Sequence, residues 1–346
     1  MGDLRSGDNL GLHRVLDTPK VIPQNAKQLD AKSSLYDNEL CAQVHFLQID
    51  SASFNQLAKA YPDDSDLKAA VMSIVNERGK MQNPVTGSGG MFLGQIAEIG
   101  PKFPNKDIQI GDEICSLISL TATPLLLEEI ESVDRKKERL AVRAKAYLFA
   151  NSIFAKMPQG ISRGAALASF DVCGAPALAL HHANAGQVVF LMGLGKAGRQ
   201  VASALRNRFG KDINLFGCDA SQNAVDDFNQ EFESGHFFTA NAQDPIALRQ
   251  ALVSRAQDLA DLSINCVNVP DTEMPSILCT KDQGCCVFFS MATDFQKATL
   301  GVESVGKDIN LIMGRGYVPG HSDLVVTLLK KDPWLLNFFE NNFGGE

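Results

Sequence analysis

The sequence lacks the features that direct a chain into a membrane, onto a nucleic acid or out of the cell. No apolar run reaches the roughly 20 residues that span a bilayer. The first 16 residues are polar and include Asp3 and Asp8, unlike a secretory signal. The net charge of -8 gives no basic footprint for nucleic acid or anionic lipid. We therefore expect a cytoplasmic protein with no nucleic-acid or membrane partner.

Disulfide and metal-binding patterns are missing as well. The eight cysteines include no C-x-x-C pair, and most lie in apolar, strand-like runs. A cytosolic thiol in such a run stays reduced and packs as a small hydrophobic side chain. The six histidines are scattered, with only His181 and His182 adjacent. These patterns predict buried free cysteines and no metal site.

The N-terminal half of the 346-residue chain has the pattern of a small β-rich domain. The length suffices for about two domains of ~100–200 residues each. Apolar residues recur at helical spacing over 65–76, and a polar, glycine-rich loop covers 81–94. A domain over roughly residues 30–155 is therefore predicted, with strands at 39–49, 94–99 and 113–117.

Beyond residue 160 the sequence alternates between strand and helix patterns. Residues 162–183 are predicted as helical segments, and the C-terminal stretch 322–338 as amphipathic and helical. Alternation of this kind indicates βαβ units and a parallel sheet. The other predicted elements are strands at 187–192, 213–217, 262–267, 285–290 and 309–313, and helices at 196–209, at 222–232 and from Pro245.

The strongest motif is a glycine triplet between the predicted strand 188–192 and a helix. Gly193 permits a tight turn, Gly195 lets the backbone approach a pyrophosphate, and Gly198 lets helix and strand pack closely. The helix N-terminus offers unpaired N–H groups to the phosphates. A plain glycine turn is the alternative interpretation. The predicted pyrophosphate contacts are Gly193, Leu194, Gly195, Lys196, Ala197 and Gly198.

An acidic residue follows the triplet at the spacing that a dinucleotide site requires. Asp219 lies 21 residues beyond Gly198, and ~20 residues is expected for an acid that bonds ribose hydroxyls. A carboxylate there repels a 2′-phosphate, so NAD is preferred over NADP. The remaining cofactor contacts are predicted at Ala220 and at the ends of later strands, at Asn268, Val269, Ser290, Met291 and Thr293.

A family resemblance extends the prediction over most of the chain. Residues 94–100 (GQIAEIG) and 110–114 (IGDEI) resemble the GroES-like domain of medium-chain dehydrogenases. Residues 161–166 and the glycine triplet then follow in that family's order. The resemblance implies an α/β fold with a GroES-like, β-rich catalytic domain and a Rossmann doubly wound parallel sheet. The implied domains are 1–158 (catalytic), 159–318 (NAD-binding) and 319–346 (a helical segment packing back toward the catalytic domain).

One departure from that family concerns zinc. Zinc-dependent members carry Gly-His-Glu where this chain has Gly89, Gly90 and Met91. Their cysteine ligand is also missing from residues 47–51. Catalytic zinc typically needs three protein ligands, so we expect a site without metal.

Longer blocks resemble the L-erythro-3,5-diaminohexanoate dehydrogenase family of bacterial lysine fermentation. The thirteen residues 79–91 have an unusual composition, and further blocks lie at 13–16, 49–54, 119–125 and 170–175. The resemblance implies NAD-dependent oxidative deamination of a small diamino acid at C3, giving 5-amino-3-oxohexanoate and ammonia. Relatives of this fold are commonly dimers or tetramers, so a homo-oligomer is expected.

That reaction needs a base, because hydride leaves C3 only after the C3 ammonium has lost a proton. Asp50 is the leading candidate to act as base or to pair an ammonium; alternatively, it is a turn carboxylate capping Ser53 or a helix. Lys80 is a candidate to bind the substrate carboxylate or, with a lowered pKa, to act as base. Its alternative is a solvated surface lysine.

The remaining candidates lie in a loop and near the nucleotide fold. Asn83, Thr86 and Ser88 share the glycine-rich loop and either supply neutral hydrogen bonds to the substrate or form a bare structural loop. Asp171 precedes the helix that leads to the nucleotide fold, where it either holds the second ammonium or caps that helix. Weaker candidates, more typical of loops and caps, are Arg315 and His321.

Two other functions stay open on the sequence. A zinc-independent quinone or enoyl reductase of the same superfamily would favour NADPH, and Asp219 argues against that cofactor. A non-catalytic NAD(H)-binding redox sensor would use the same nucleotide fold and turn over no amine.

Overall fold

The computed structural model describes residues 5–16, 20–232, 236–314 and 316–345. The chain divides into two compact units, one ending at Leu167 and the other running from Ala168 to Gly345. The boundary after residue 158, which the sequence predicts, stays a prediction. Each unit is built around its own six-stranded sheet.

The first unit contains an antiparallel sheet with the strand order β4-β5-β1-β2-β3-β6. Strand β1 pairs with β5 on one side and β2 on the other, so most of its residues are buried. The predicted β-rich, GroES-like domain is thereby confirmed. Its elements are β1 Leu40–Ile49, α1 Ser51–Ala60, α2 Asp64–Arg78, β2 Gly90–Ile99, β3 Glu113–Ser116, β4 Leu125–Asp134, β5 Arg139–Leu148 and β6 Phe154–Lys156, with 3-10 turns at Leu12–Arg14 and Leu120–Ala122.

Helix α2 is the helix that the apolar spacing predicts, whereas no sequence pattern indicates α1. Leu67, Val71 and Val75 of α2 are buried in the core of the first unit. Helix α1 begins directly after β1 because Asp50 has extended backbone and accepts the N–H of Ser53 as an N-cap. Asp50 is therefore fixed between β1 and α1, where the sequence suggested an ordinary loop.

The second unit contains a parallel sheet with the strand order β12-β11-β10-β7-β8-β9. The chain starts in the middle at β7, builds outward through β9, then crosses back to β10, which is the doubly wound Rossmann arrangement. The predicted α/β fold with a parallel sheet is confirmed. The strands are β7 Val188–Met192, β8 Asn214–Asp219, β9 His236–Thr239, β10 Ala260–Asn265, β11 Thr280–Phe288 and β12 Asn310–Met313.

Helices surround this sheet, and the first of them crosses the boundary between the units. The helices are α3 Arg163–Phe170, α4 Gly174–His182, α5 Lys196–Phe209, α6 Gln222–Glu231, α7 Pro245–Ala256, α8 Glu273–Cys279, α9 Phe295–Val305, α10 His321–Lys331 and α11 Pro333–Phe343, with a 3-10 turn at Gly210–Asp212. Across the described residues, no single helix is long and apolar enough to cross a bilayer. Helices α3 and α4, with a bend of 45° between them, meet that length and composition test only as a pair.

The C-terminal segment is helical, as the sequence predicts, and it forms two helices. Pro333 cannot continue the hydrogen bonding of α10, and it occupies the first turn of α11, where a missing N–H costs nothing. Asp332 caps α11 by accepting the N–H of Leu335 at 3.3 Å. Both helices contact α5 within the second unit, and α10 also contacts α4. Packing toward the catalytic domain stays a prediction.

A polar and aromatic cluster around Trp334 attaches α11 to the rest of the second unit. The indole Nε1 donates to Asp227 Oδ2 at 3.0 Å, and the ring meets Phe228 and Phe232 edge-on at 5.0 and 5.4 Å. The buried Arg199 pairs with Asp227 and lies 5.0 Å from the indole ring. One side chain of α11 thus joins α5 and α6.

Replacing Trp334 by alanine is expected to lower the free energy of unfolding by about 2–4 kcal/mol, because aromatic packing and a hydrogen bond are lost together. Trp334→Phe keeps most of the ring contact and should cost only about 1 kcal/mol. Trp334 is the only tryptophan, so denaturant unfolding should be followed by circular dichroism. Equal midpoints for Trp334→Ala and the unsubstituted protein would contradict this role.

Candidate cofactor and substrate sites

The glycine loop joins β7 to α5 as the motif predicts. Gly193 has φ +91°, a conformation that favours glycine. A Cβ on Gly198 would lie 2.0 Å from the carbonyl oxygen of Gly193, so only glycine allows helix and strand to approach this closely. A Cβ on Gly195 would meet no atom within 4 Å. That open side of Gly195, at the N-cap of α5, gives a pyrophosphate room to approach the backbone.

Asp219 ends β8 beside this loop. Its Oδ2 accepts the N–H of Leu194 at 2.7 Å, and its Oδ1 accepts the N–H of Ser221 at 2.8 Å. Both carboxylate oxygens are thereby fixed in direction, while the side chain stays partly exposed. The carboxylate is also tied to the glycine loop itself, which the sequence spacing did not reveal. A ribose assigned to Asp219 would therefore lie next to a pyrophosphate on the loop.

Asp171 and Lys196 form an ion pair within the second unit. Asp171 Oδ2 lies 2.9 Å from Lys196 Nζ, and both side chains are about four-fifths buried. The alternative prediction that Asp171 caps the following helix is wrong, because the N-cap of α4 is Cys173. Lys196 belongs to the glycine loop, so this pair links the loop to the turn between α3 and α4.

The predicted contacts beyond β10 and β11 lie in partly or fully exposed turns. Asn268 is exposed, Ser290 is half-buried, and the Met291 side chain is 85% exposed. The sequence overlooked Asn265, the last residue of β10, which is fully buried. Its amide donates to the Thr272 and Ser276 hydroxyls, both at 2.9 Å, and so fixes the turn that carries Asn268.

In the first unit, Asp50 is the predicted catalytic residue whose carboxylate has an oxygen, Oδ2, that accepts no hydrogen bond from the described residues. Asp50 Oδ1 accepts the N–H of Ser53 at 3.1 Å and the hydroxyl of Ser88 at 2.9 Å. Oδ2 is shielded from solvent, and no described residue donates a hydrogen bond to it. A shielded carboxylate oxygen without a donor is costly. A ligand N–H would remove that cost.

Three hydroxyl groups gather next to this carboxylate. Ser53 Oγ lies 2.6 Å from both Thr86 Oγ1 and Ser88 Oγ, and the latter two are 3.1 Å apart. The sequence named Thr86 and Ser88 but left Ser53 without a role. Ser53 is 33 and 35 residues from them, so only the tertiary fold shows this contact.

Asn83 shapes the loop that carries two of these hydroxyls. Its Oδ1 accepts the N–H of Val85 at 2.8 Å, and its Nδ2 donates to Gln56 Oε1 at 2.8 Å. The side chain is fully buried. These contacts tie the loop to α1 and so position Ser88 near Asp50; direct substrate binding by Asn83 stays a prediction.

Lys80 is buried, which makes the alternative of a solvated surface lysine wrong. Its side chain has no exposed area. The ammonium donates to the carbonyl oxygens of Pro23 and Gln24, at 2.7 and 3.2 Å. Lys80 therefore fixes the segment before β1. Substrate binding and proton transfer by Lys80 stay predictions.

His321 begins α10, and its side chain is buried. Burial lowers its pKa, and no described residue bonds its Nε2. Its ring meets Tyr317 edge-on at 5.4 Å. Arg315 lies outside the described residues.

The cysteines are free thiols, as predicted, and six of the eight are buried. Burial raises the pKa of Cys173 and of Cys266 to about 12 in each case, so neither is a thiolate at neutral pH. Within the described ranges, no three His, Cys, Asp or Glu side chains form a group suited to a metal. A metal-free site stays a prediction.

Comparison with known proteins gives consistent matches along the chain. A family model described as the L-erythro-3,5-diaminohexanoate dehydrogenase N-terminal domain matches residues 13–158. Two curated relatives, from Acetoanaerobium sticklandii and Fusobacterium nucleatum, carry the name L-erythro-3,5-diaminohexanoate dehydrogenase. Each is 38% identical over 341 residues, covering 97% of this chain and 99% of the relative.

Solved structures share the fold at much lower identity. CurK enoyl reductase matches with a TM-score of 0.56 and 13% identity, over 99% of this chain and 90% of that one. Galactitol-1-phosphate dehydrogenase from Escherichia coli matches with a TM-score of 0.54 and 12% identity, over 87% and 84% of the two chains. At such identities the likeness establishes the fold alone.

Proposed function

Since the chain belongs to the L-erythro-3,5-diaminohexanoate dehydrogenase family, we propose that it oxidatively deaminates L-erythro-3,5-diaminohexanoate at C3. The products are 5-amino-3-oxohexanoate and ammonia, and the hydride acceptor is NAD. Near-complete coverage at 38% identity carries this proposal. A place in lysine fermentation, a cytoplasmic location and a homo-oligomeric state stay predictions.

The reaction has a fixed proton balance. The C3 ammonium loses one proton, hydride leaves C3, and water adds to the resulting iminium to release the ketone and ammonium. NAD, when bound, supplies the hydride-accepting ring. Each turnover therefore consumes one water and releases one ammonium and one net proton, which the protein has to transfer to solvent.

The residues of the second unit fit a dinucleotide. The open side of Gly195 provides the approach for a pyrophosphate, and the N-terminus of α5 provides N–H groups. Asp219 is held next to that loop, where its negative charge favours ribose hydroxyls and opposes a 2′-phosphate. We assign the pyrophosphate to the loop 193–198 and the ribose to Asp219.

In the first unit, Asp50 is the group best suited to the C3 ammonium. Oδ2 has an unfilled acceptor position, and the Ser53 N–H and Ser88 hydroxyl on Oδ1 fix the direction of the carboxylate. A carboxylate held this way pairs with an ammonium and takes its proton before hydride departs. Asp50 is accordingly the proposed general base.

One assay tests the proposed function directly. Purified protein is supplied with NAD and L-erythro-3,5-diaminohexanoate, while NADH absorbance and ammonia release are followed together. We expect NADH and ammonia in equal amounts. NADH binding without turnover over a broad alkaline range would favour a redox sensor and refute the proposal. NADPH-dependent reduction of a quinone or enoyl compound, without amine oxidation, would favour the reductase.

Substituting Asp219 by asparagine is expected to lower the preference for NAD over NADP by about tenfold or more. The loss of charge weakens the bond to the ribose hydroxyls and removes repulsion of a 2′-phosphate, together about 1.5–3 kcal/mol. The ratio of kcat/KM for NAD and NADP measures this preference. Asp226→Asn is the control, because Asp226 is an exposed acid of α6 in the same unit. An unchanged ratio in Asp219→Asn would remove the ribose assignment.

A further inference from the structure

We propose that Ser88, Ser53 and Thr86 form a proton relay that carries the proton taken up by Asp50 out to solvent. This inference rests on the proposed function, in which Asp50 receives one proton in each turnover. Asp50 Oδ2 is shielded from solvent, so the carboxyl group needs a path by which to lose that proton. The three hydroxyls form the one continuous chain of hydrogen-bonding groups that the described contacts show at Asp50.

The chain runs from a shielded group to an exposed one. Asp50 Oδ1 and Ser88 Oγ are 2.9 Å apart, Ser88 and Ser53 2.6 Å, and Ser53 and Thr86 2.6 Å. Ser53 has no exposed area, whereas Thr86 is exposed at the tip of its loop. All three distances lie within the range for O–H···O hydrogen bonds.

Counting hydroxyl protons fixes the direction of each bond. Each hydroxyl has one proton to donate, and Ser88 donates its proton to the Asp50 carboxylate. Ser53 must therefore donate to Ser88, and Thr86 must donate to Ser53. With Asp50 ionised, every hydroxyl proton in the chain points toward Asp50.

Protonation of Asp50 reverses the direction of the hydrogen bonds between the carboxyl group and the three hydroxyls. Once Oδ2 is protonated, the neutral carboxyl group holds the Ser53 N–H and the Ser88 hydroxyl less strongly than the carboxylate does. These bonds break, and rotation about the Cβ–Cγ bond turns the O–H toward Ser88 Oγ. Asp50 then gives its proton to Ser88, Ser88 gives its own to Ser53, Ser53 to Thr86, and Thr86 to water. The three hydroxyls turn away from Asp50 before this transfer. Each proton then moves to the next oxygen and lies on its Asp50 side, so the carboxylate and the starting hydrogen-bond directions are restored with one proton released.

Hydrogen bonds within the 83–88 loop, and from that loop to α1, hold the three hydroxyl groups within hydrogen-bonding distance of one another. Asn83 receives the N–H of Val85 on Oδ1, and its backbone N–H donates to the Ser88 carbonyl at 2.9 Å. The Asn83 side chain also bonds Gln56 of α1 at 2.8 Å. The loop that carries Thr86 and Ser88 is thereby tied to the helix that carries Ser53, so Asn83 is a positioning residue for the relay.

The test compares proton release with NADH formation in one stopped-flow experiment. The full-length protein, NAD and L-erythro-3,5-diaminohexanoate are mixed in dilute buffer with a pH-indicator dye. In the unsubstituted protein both signals should rise together. In Thr86→Val, which keeps the side-chain shape at an exposed position, proton release should lag NADH formation by about tenfold or more. Added imidazole should abolish the lag by accepting the proton directly.

Further variants separate a relay from a structural role. Ser53→Ala leaves Thr86 Oγ1 3.1 Å from Ser88 Oγ, so it should show a smaller lag than Thr86→Val, with the same rescue by imidazole. Thr86→Ser should recover most of the rate lost in Thr86→Val. Val85→Ala is the control, because Val85 is 71% exposed in the same loop and lies outside the hydroxyl chain. Proton release that keeps pace with NADH in both Thr86→Val and Ser53→Ala would overturn the relay. A lag that imidazole leaves unchanged would overturn it too.

Failure of the relay is distinguishable from failure of the proposed function. If the unsubstituted protein forms no NADH from the diamino acid, the proposed function is wrong. The relay proposal is then wrong as well, because it rests on that reaction. If Asp50→Asn forms NADH at the normal rate, Asp50 is not the base, and the relay has no proton to carry. Normal NADH formation that depends on Asp50, with no lag in the hydroxyl variants, overturns the relay alone.

Discussion

Asp50→Asn is expected to lower kcat/KM for the diamino acid by about 10²–10⁴-fold, the range that a positioned general base contributes. The substitution keeps the shape of the side chain and its role as N-cap of α1, because asparagine caps helices as well as aspartate does. It removes the negative charge and the site that takes the proton. The measurement is steady-state NADH formation, with thermal unfolding to show that the fold is retained.

NADH affinity separates this effect from general damage. Asp50 lies in the first unit, whereas the glycine loop and Asp219 lie in the second, so the Kd for NADH should stay unchanged. Asp63→Asn is a matched control, because Asp63 precedes α2 of the same unit and makes no side-chain cap bond. A kcat/KM for Asp50→Asn within about twofold of the unsubstituted protein would show that another group takes the proton.

Gly195→Ala and Gly198→Ala are expected to fail in different ways, although both glycines belong to one motif. A Cβ on Gly195 meets no atom within 4 Å, so the variant should fold with unchanged stability. Its methyl group instead occupies the side from which the pyrophosphate approaches, so the Kd for NADH should rise by about tenfold or more. A fluorescence titration with NADH measures this loss.

Gly198→Ala should instead lower the free energy of unfolding. Its Cβ would lie 2.0 Å from the Gly193 carbonyl oxygen, which is backbone and cannot rotate away, so α5 has to move off the end of β7. Overpacking of this kind costs about 1–3 kcal/mol. Each variant serves as the other's control in denaturant unfolding. Equal stability of the two would contradict the close approach of helix and strand, and unchanged NADH affinity in Gly195→Ala would contradict the pyrophosphate assignment.

The sequence by itself determined the glycine loop and the helix that follows it. Helix α5 begins and ends where predicted, at Lys196 and Phe209, because the glycine loop and its helix are local features. The turn at Gly193 and the close packing at Gly198 depend only on the spacing and backbone conformation of about six neighbouring residues. The spacing from Gly198 to Asp219 spans one βα unit, and its geometry is repeated in every Rossmann fold. The substrate class came from the family resemblance of longer blocks.

The tertiary structure decided how the remaining polar residues are used. Lys80 has the sequence context of a surface lysine, yet the fold buries it against carbonyl groups 56 and 57 residues away. Asp171 has the context of a helix cap, yet it pairs with Lys196 25 residues away. Ser53 carries no motif, and it became part of the site only where α1 meets the 83–88 loop. A hydrogen bond depends on distances of about 3 Å between side chains, and folding alone brings residues so far apart in the sequence to that separation.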